Sequence, residues 1–133
     1  MIGLPHLKAV QQPVAIFTLN LETKIEEQQA LNNAGFKHFK SMRGSYKGQK
    51  ETSYLVPVEA LEDLGPLLDL ARTHGQESIL FVEGVTREAS LIFTDPETPQ
   101  EHLGKLTPVD AREALKSESW TLDVEADQFF ITK

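Results

Sequence analysis

Residues 52–58 (TSYLVPV) and 78–82 (SILFV) are strand-like runs that are apolar on both faces. Side chains of a strand point alternately to opposite sides. Tyr54, Val56 and Val58 therefore share one face, and Leu55 and Pro57 the other. Residues 13–19 (PVAIFTL) behave alike, with Val14, Ile16 and Thr18 set against Ala15, Phe17 and Leu19. Such strands cannot leave one face in water, as the alternating strands of a half-solvated sheet do. Whatever sheet they form must be covered on both sides.

The segments between them supply one cover. Thr23 and Glu26 have capping-box spacing, so a helix is expected to start there and to end at Ala34 and Gly35. Leu61, Leu64, Leu67, Leu68 and Ala71 recur at helical spacing within residues 59–74, with Gly65-Pro66 as a break and Gly75 as a cap. Residues 36–42 read as a second strand and residues 44–48 (GSYKG) as a loop. Residues 51–58, 76–83 and 87–94 read as the third to fifth strands. The order is strand, helix, strand, strand, helix, strand. It predicts a ferredoxin-like α+β (βαββαβ) sandwich with helices on one face only. Residues 1–133 are expected to form one domain, with an N-terminal arm (1–12) and a β-rich C-terminal extension (95–133). In the extension, residues 95–100 read as a loop and 108–117 as a short helix started by Pro108. Residues 120–124 and 128–132 form a last hairpin. The second face of the sheet is left to the C-terminal strands or to another subunit, and the expectation is an oligomer.

Composition narrows the chemistry. There is no cysteine, which excludes disulfides, thiolate metal sites and cysteine nucleophiles. No apolar run approaches membrane-spanning length, and residues 1–13 lack the pattern of a signal peptide. A cytoplasmic location is the expectation. Net charge is -7, from 20 acidic and 13 basic residues. That balance disfavours nucleic-acid phosphates and suits cationic ligands, besides serving solubility. Lys37, Lys40, Arg43, Lys47 and Lys50 form a local basic stretch, read as solvated loop and strand ends. His6, His38, His74 and His102 are scattered in the sequence, and no metal site is expected from them.

No phosphate loop, nucleophile elbow or zinc spacing is present. Two acids stand out by placement: Glu51 opens a strand after the glycine-rich loop, and Glu77 opens another beside Gln76. Both read first as ordinary polar strand ends, and alternatively as carboxylates set to bind polar or cationic groups. Tyr46 either covers the core or offers its ring to a cation. Trp120, the single tryptophan, reads as packing.

The run Gly44-Ser45-Tyr46-Lys47, then Glu51 leading a strand, then the 61–71 helix and Gln76-Glu77-Ser78-Ile79-Leu80-Phe81, resembles the bacteriophage S-adenosylmethionine lyases, long called hydrolases. Ala89-Ser90-Leu91-Ile92-Phe93, Leu103-Gly104-Lys105-Leu106 and Trp120-Thr121-Leu122-Asp123 fit as well, so that residues 12–131 are covered. The resemblance implies a core like that of the PII signalling proteins and a homotrimer with ligand sites at subunit interfaces. It implies conversion of S-adenosylmethionine to 5′-methylthioadenosine and L-homoserine lactone without a cofactor, depleting the methyl donor of host restriction systems. By position, Glu51 and Glu77 become the catalytic carboxylates, and Tyr46, Gln76 and Ser45 substrate contacts. Two rivals remain: a non-catalytic PII-like trimer that binds an adenine-containing ligand, and an acidic protein that blocks a nucleic-acid-binding factor.

Overall fold

The computed structural model describes residues 11–133. Most of the expected N-terminal arm, with His6, lies outside the described residues. The elements run β1 (Val14–Phe17), α1 (Lys24–Asn33), β2 (Lys40–Tyr46), β3 (Gln49–Pro57), α2 (Gly65–Thr73) and β4 (Ser78–Val82). They continue as β5 (Glu88–Phe93), β6 (Glu101–Val109), α3 (Ala111–Leu115), β7 (Trp120–Asp123) and β8 (Gln128–Thr132). A 3-10 turn, Leu61–Leu64, leads into α2, so Gly65 and Pro66 open the α-helix rather than kink it.

The strands form one closed antiparallel barrel in the order β1-β3-β2-β7-β8-β6-β5-β4, with β4 pairing back onto β1. This overturns the ferredoxin-like sandwich. The strands of residues 95–133 are three of the eight in the barrel wall, not an extension to a finished sheet. β2 pairs with β7 and β4 with β5, so neither keeps the free edge that the sandwich would leave. Periodicity identified strands, but edge partners are a long-range choice. The closure also explains the two-faced apolar strands. Val14, Ile16, Met42, Leu55, Val82, Ala89, Leu106 and Phe130 fill the barrel interior. Ala15, Phe17, Tyr54, Val56, Ile79 and Phe81 face outward against Leu31 of α1 and Leu67 and Ala71 of α2. Fully burying one such leucine contributes about 1.5–3 kcal/mol. The C-terminal strands thus cover the second face, and that coverage needs no second subunit.

Local expectations fared unevenly. Thr23 caps α1 as predicted, its hydroxyl accepting from the Glu26 amide at 3.1 Å. The supposed loop at residues 44–48 is mostly strand: Gly44, Ser45 and Tyr46 end β2, and only Lys47-Gly48 turns. Both turn residues have positive φ, 51° and 85°, the geometry that lets a two-residue turn match strand twist. Pro108 starts no helix; it lies in β6 opposite Phe130, and Asp110 caps α3 through the Glu113 amide. Lys40 is not solvated. It is 6% exposed and pairs at 2.8 Å with Asp123, which is fully buried, across the β2–β7 seam. Among the described residues, no helix is long and apolar enough to cross a membrane.

Candidate active site at the barrel mouth

An eight-stranded barrel is wide enough for side chains to fill or for one small ligand. Here the interior is apolar and filled over part of its length, and it opens at one end into a cavity of about 700 Å³. That volume falls within the range of small-molecule sites. The floor is apolar, from Ile16, Leu80, Leu106 and Phe130. The rim is polar and comes from strand ends and turns: Thr18, Asn20, Tyr46, Lys47, Glu51, Gln76 and Glu77.

Glu51, Ser53 and Leu55 alternate along β3 onto the face that looks into the barrel. Glu51 is half-buried, and that burial pushes its carboxyl above the usual carboxylate range. The Thr18 hydroxyl draws it partly back, and the charge of Glu27 raises it further. Among the described residues, no cationic side chain forms an ion pair with Glu51. Desolvation without a cation is the condition that raises a carboxylate pKa, and a cationic ligand would relieve it.

Glu27 stands behind this strand on the helix side. It is 5% exposed and accepts hydrogen bonds from the Tyr54 hydroxyl at 2.8 Å and the Leu21 amide at 3.1 Å. Burial and the Glu27 carboxylate push the Tyr54 phenol well above its ordinary value. The pair ties α1 to β3 and holds a second negative charge near Glu51.

Gln76 reaches the end of β1. Its amide oxygen accepts from the Thr18 hydroxyl at 3.2 Å, and its amide nitrogen donates to the Leu19 carbonyl at 3.5 Å. Glu77 is exposed on the rim, its backbone carbonyl held by the Thr94 amide at 2.9 Å. Since β1 sits between β3 and β4, Glu51 and Glu77 flank one strand. Two strand spacings separate them, roughly 10 Å across the sheet. Tyr46 is 44% exposed, with the Lys47 ammonium 5.3 Å from its ring centroid. Its ring face therefore already carries a cation. The Ser45 hydroxyl donates to the Glu118 carbonyl at 3.1 Å.

The structure thus places Glu51, Glu77, Tyr46, Gln76 and Ser45 around one cavity of one chain. The lining residues that sequence reasoning missed include Thr18, which lies between Glu51 and Gln76; Ser53, inside the barrel; and Gly44, read as a loop glycine. Ser53 carried a faint signal, as the one hydroxyl on a strand face between Glu51 and Leu55. Among the described residues, no group of three or more His, Cys, Asp and Glu side chains could hold a metal ion.

A family model described as the S-Adenosylmethionine lyase family matches residues 17–133. No curated protein matches the chain. The matched span takes in every strand except the first residues of β1, together with the whole cavity lining apart from Ile16. The chain belongs to the S-adenosylmethionine lyase family and is an enzyme whose substrate is S-adenosylmethionine.

Proposed function

We propose that this family member cleaves S-adenosylmethionine to 5′-methylthioadenosine and L-homoserine lactone at the barrel mouth. The observation that carries the reading is Glu51: a half-buried carboxylate with no cationic side chain paired to it among the described residues, in a cavity of about 700 Å³. The substrate bears a sulfonium, an ammonium and one carboxylate, and so is a net cation.

In the reaction, the substrate's own carboxylate oxygen attacks the methionyl carbon attached to sulfur. The new C–O bond closes the lactone as the C–S bond breaks. The bonding pair goes to sulfur, which leaves as a neutral thioether. No proton moves and no cofactor takes part, so the enzyme's work is to fold the substrate and exclude water. Charge is neutralised in the transition state, which an apolar floor favours over water. Glu51 and Glu77 hold the ammonium by charge-assisted hydrogen bonds and so curl the methionyl chain. Gln76, fixed by Thr18 and Leu19, orients the chain between them. Tyr46, with Lys47 drawn aside, offers its ring to the sulfonium. Ser45 shapes the wall through its bond to Glu118.

The exposure of Glu77 and Tyr46 leaves the rim wet in a single chain. We infer that a homotrimer closes it, each neighbour capping one mouth. In a phage-infected cell the activity would deplete the methyl donor of host restriction enzymes. The test is incubation with S-adenosylmethionine in ¹⁸O-water, followed by chromatography and mass spectrometry. Methylthioadenosine with unlabelled lactone is expected. Labelled homoserine formed directly would sink the intramolecular step, and untouched substrate at high enzyme concentration would sink the activity. Light scattering at several concentrations tests the trimer, and a concentration-independent monomer refutes it.

A further inference from the structure

Ser53 poses a problem that the proposed reaction does not solve. It is 4% exposed, it lines the cavity, and its hydroxyl has no hydrogen-bond partner among the described residues. A buried, unsatisfied hydroxyl is costly and uncommon, and such a group calls for an occupant. Gly44 lies across from it. Its backbone does not lie in the left-handed region, so conformational freedom does not explain the glycine. A Cβ at Gly44 would sit 3.5 Å from Ser53 Oγ and 3.5 Å from the Trp120 carbonyl oxygen, ordinary contact distances, and would fill the space between them. The missing side chain leaves a notch inside the barrel with a rotatable hydroxyl on one wall and a carbonyl on the other. Glycine within a strand often marks the close approach of a ligand. A backbone carbonyl has two lone pairs, so Trp120 can accept from a ligand whether or not it also serves the β2–β7 ladder.

We propose that the Gly44 notch is the base-selecting subsite, where Ser53 Oγ and the Trp120 carbonyl read the hydrogen-bonding edge of an adenine. This rests on the reading of the cavity as the S-adenosylmethionine site. The chemistry of the surface fits a 6-aminopurine. The exocyclic N6–H donates to the Trp120 carbonyl, and the adjacent ring nitrogen accepts from the Ser53 hydroxyl. Ile16, Leu80, Leu106 and Phe130 supply the apolar floor for the ring faces. A 6-oxopurine would set its carbonyl oxygen against that of Trp120; the serine hydroxyl can rotate to accommodate the altered ring nitrogen, but the backbone carbonyl cannot. Ser53 also lies two residues from Glu51 on the same strand face, about 7 Å along β3. With the base in the notch, the ribose and sulfonium extend toward the rim, where the carboxylates stand. Ser53 is thus a specificity-determining residue.

The experiment measures steady-state cleavage of S-adenosylmethionine and of its deaminated analogue, S-inosylmethionine, by the wild type, Ser53→Ala and Gly44→Ala. Melting temperatures are recorded in parallel. The wild type should prefer the adenine substrate on the order of 10- to 100-fold in kcat/KM. Ser53→Ala should raise KM for S-adenosylmethionine about 3- to 10-fold, with kcat within about twofold. It should melt no lower than the wild type, because it removes an unsatisfied group. Gly44→Ala meets its neighbours at ordinary contact distance, so it should fold normally, raise KM and erode the preference for adenine. If both variants keep the wild-type KM and base preference, the subsite assignment is wrong while the lyase reading stands. A Ser53→Ala enzyme with a lower melting temperature and an unchanged KM also overturns it, in favour of a structural serine. A wild type that neither binds nor cleaves S-adenosylmethionine overturns both.

Discussion

Lys40→Met should unfold the barrel at markedly lower temperature without harming the chemistry. Lys40 Nζ lies 2.8 Å from one Asp123 carboxylate oxygen and 3.0 Å from the other, with the two side chains 5% and 0% exposed. The bond spans β2 and β7, a seam with three paired positions that joins two parts of the wall. Removing the ammonium takes a cationic partner from the Asp123 carboxylate in a site that water does not reach. Breaking a buried pair from one side costs about 3–5 kcal/mol. A chain of this size has an unfolding entropy of roughly 0.3 kcal/mol per degree, so the expected fall in Tm is about 11 to 18 °C. Asp123→Asn should cost less, because Lys40 can turn to Glu125, 3.7 Å away and 65% exposed. The double variant Lys40→Met/Asp123→Leu should recover most of the loss, since an apolar pair carries no desolvation penalty. Neither residue lines the cavity, so kcat/KM measured well below the lowered Tm should stay within about twofold of wild type. Differential scanning calorimetry and the methylthioadenosine assay provide the readouts. A loss under about 4 °C in Lys40→Met, or a double variant no better than the single, would refute the account of the seam.

Three further outcomes follow from the site. Glu51→Gln should lower kcat/KM roughly 10- to 100-fold through loss of a charge-assisted hydrogen bond. Its effect on stability has the opposite sign. The Glu51 carboxyl ionises at higher pH folded than unfolded, so its contribution is greatest in acid and is lost as pH rises through the folded pKa. At pH 7, Glu51→Gln should therefore melt at or above the wild-type temperature, and a clear drop would contradict the desolvation argument. Glu27→Gln removes a like charge that raises Glu51, so the acid limb of the kcat/KM profile should move to lower pH. An unmoved limb would show that Glu51 is not the titrating group or that Glu27 does not reach it. Tyr54→Phe strips the buried Glu27 carboxylate of a 2.8 Å hydrogen bond and should cost about 1–3 kcal/mol, a fall in Tm of about 4 to 11 °C. Thermal melting monitored by circular dichroism decides it.

What the residues alone determined was local. Thr23 and Glu26 marked the start of α1, Leu67 and Ala71 marked the buried face of α2, and strand-like apolar runs marked β1, β3 and β4. The order and spacing of short pieces around Tyr46, Glu51 and Gln76-Glu77 were enough to suggest the family, and those residues do gather at one cavity. These signals are legible because caps, periodicity and chain order act over a few residues.

Tertiary structure decided the rest. Both faces of residues 52–58 had to be covered, but nothing local told a neighbouring subunit from strands β5 to β8, since both would bury the same apolar area. Pairing of β2 with β7 and of β6 with β8 settled it, and those contacts join positions far apart in the chain. The same closure took Lys40 from an expected solvated stretch to a buried ion pair, and Gly44 from an expected loop to the wall of a notch. It made Ser53, one more hydroxyl in the sequence, a buried group facing a cavity. A residue's type is written in the chain, but its desolvation depends on which distant strand comes to lie opposite it.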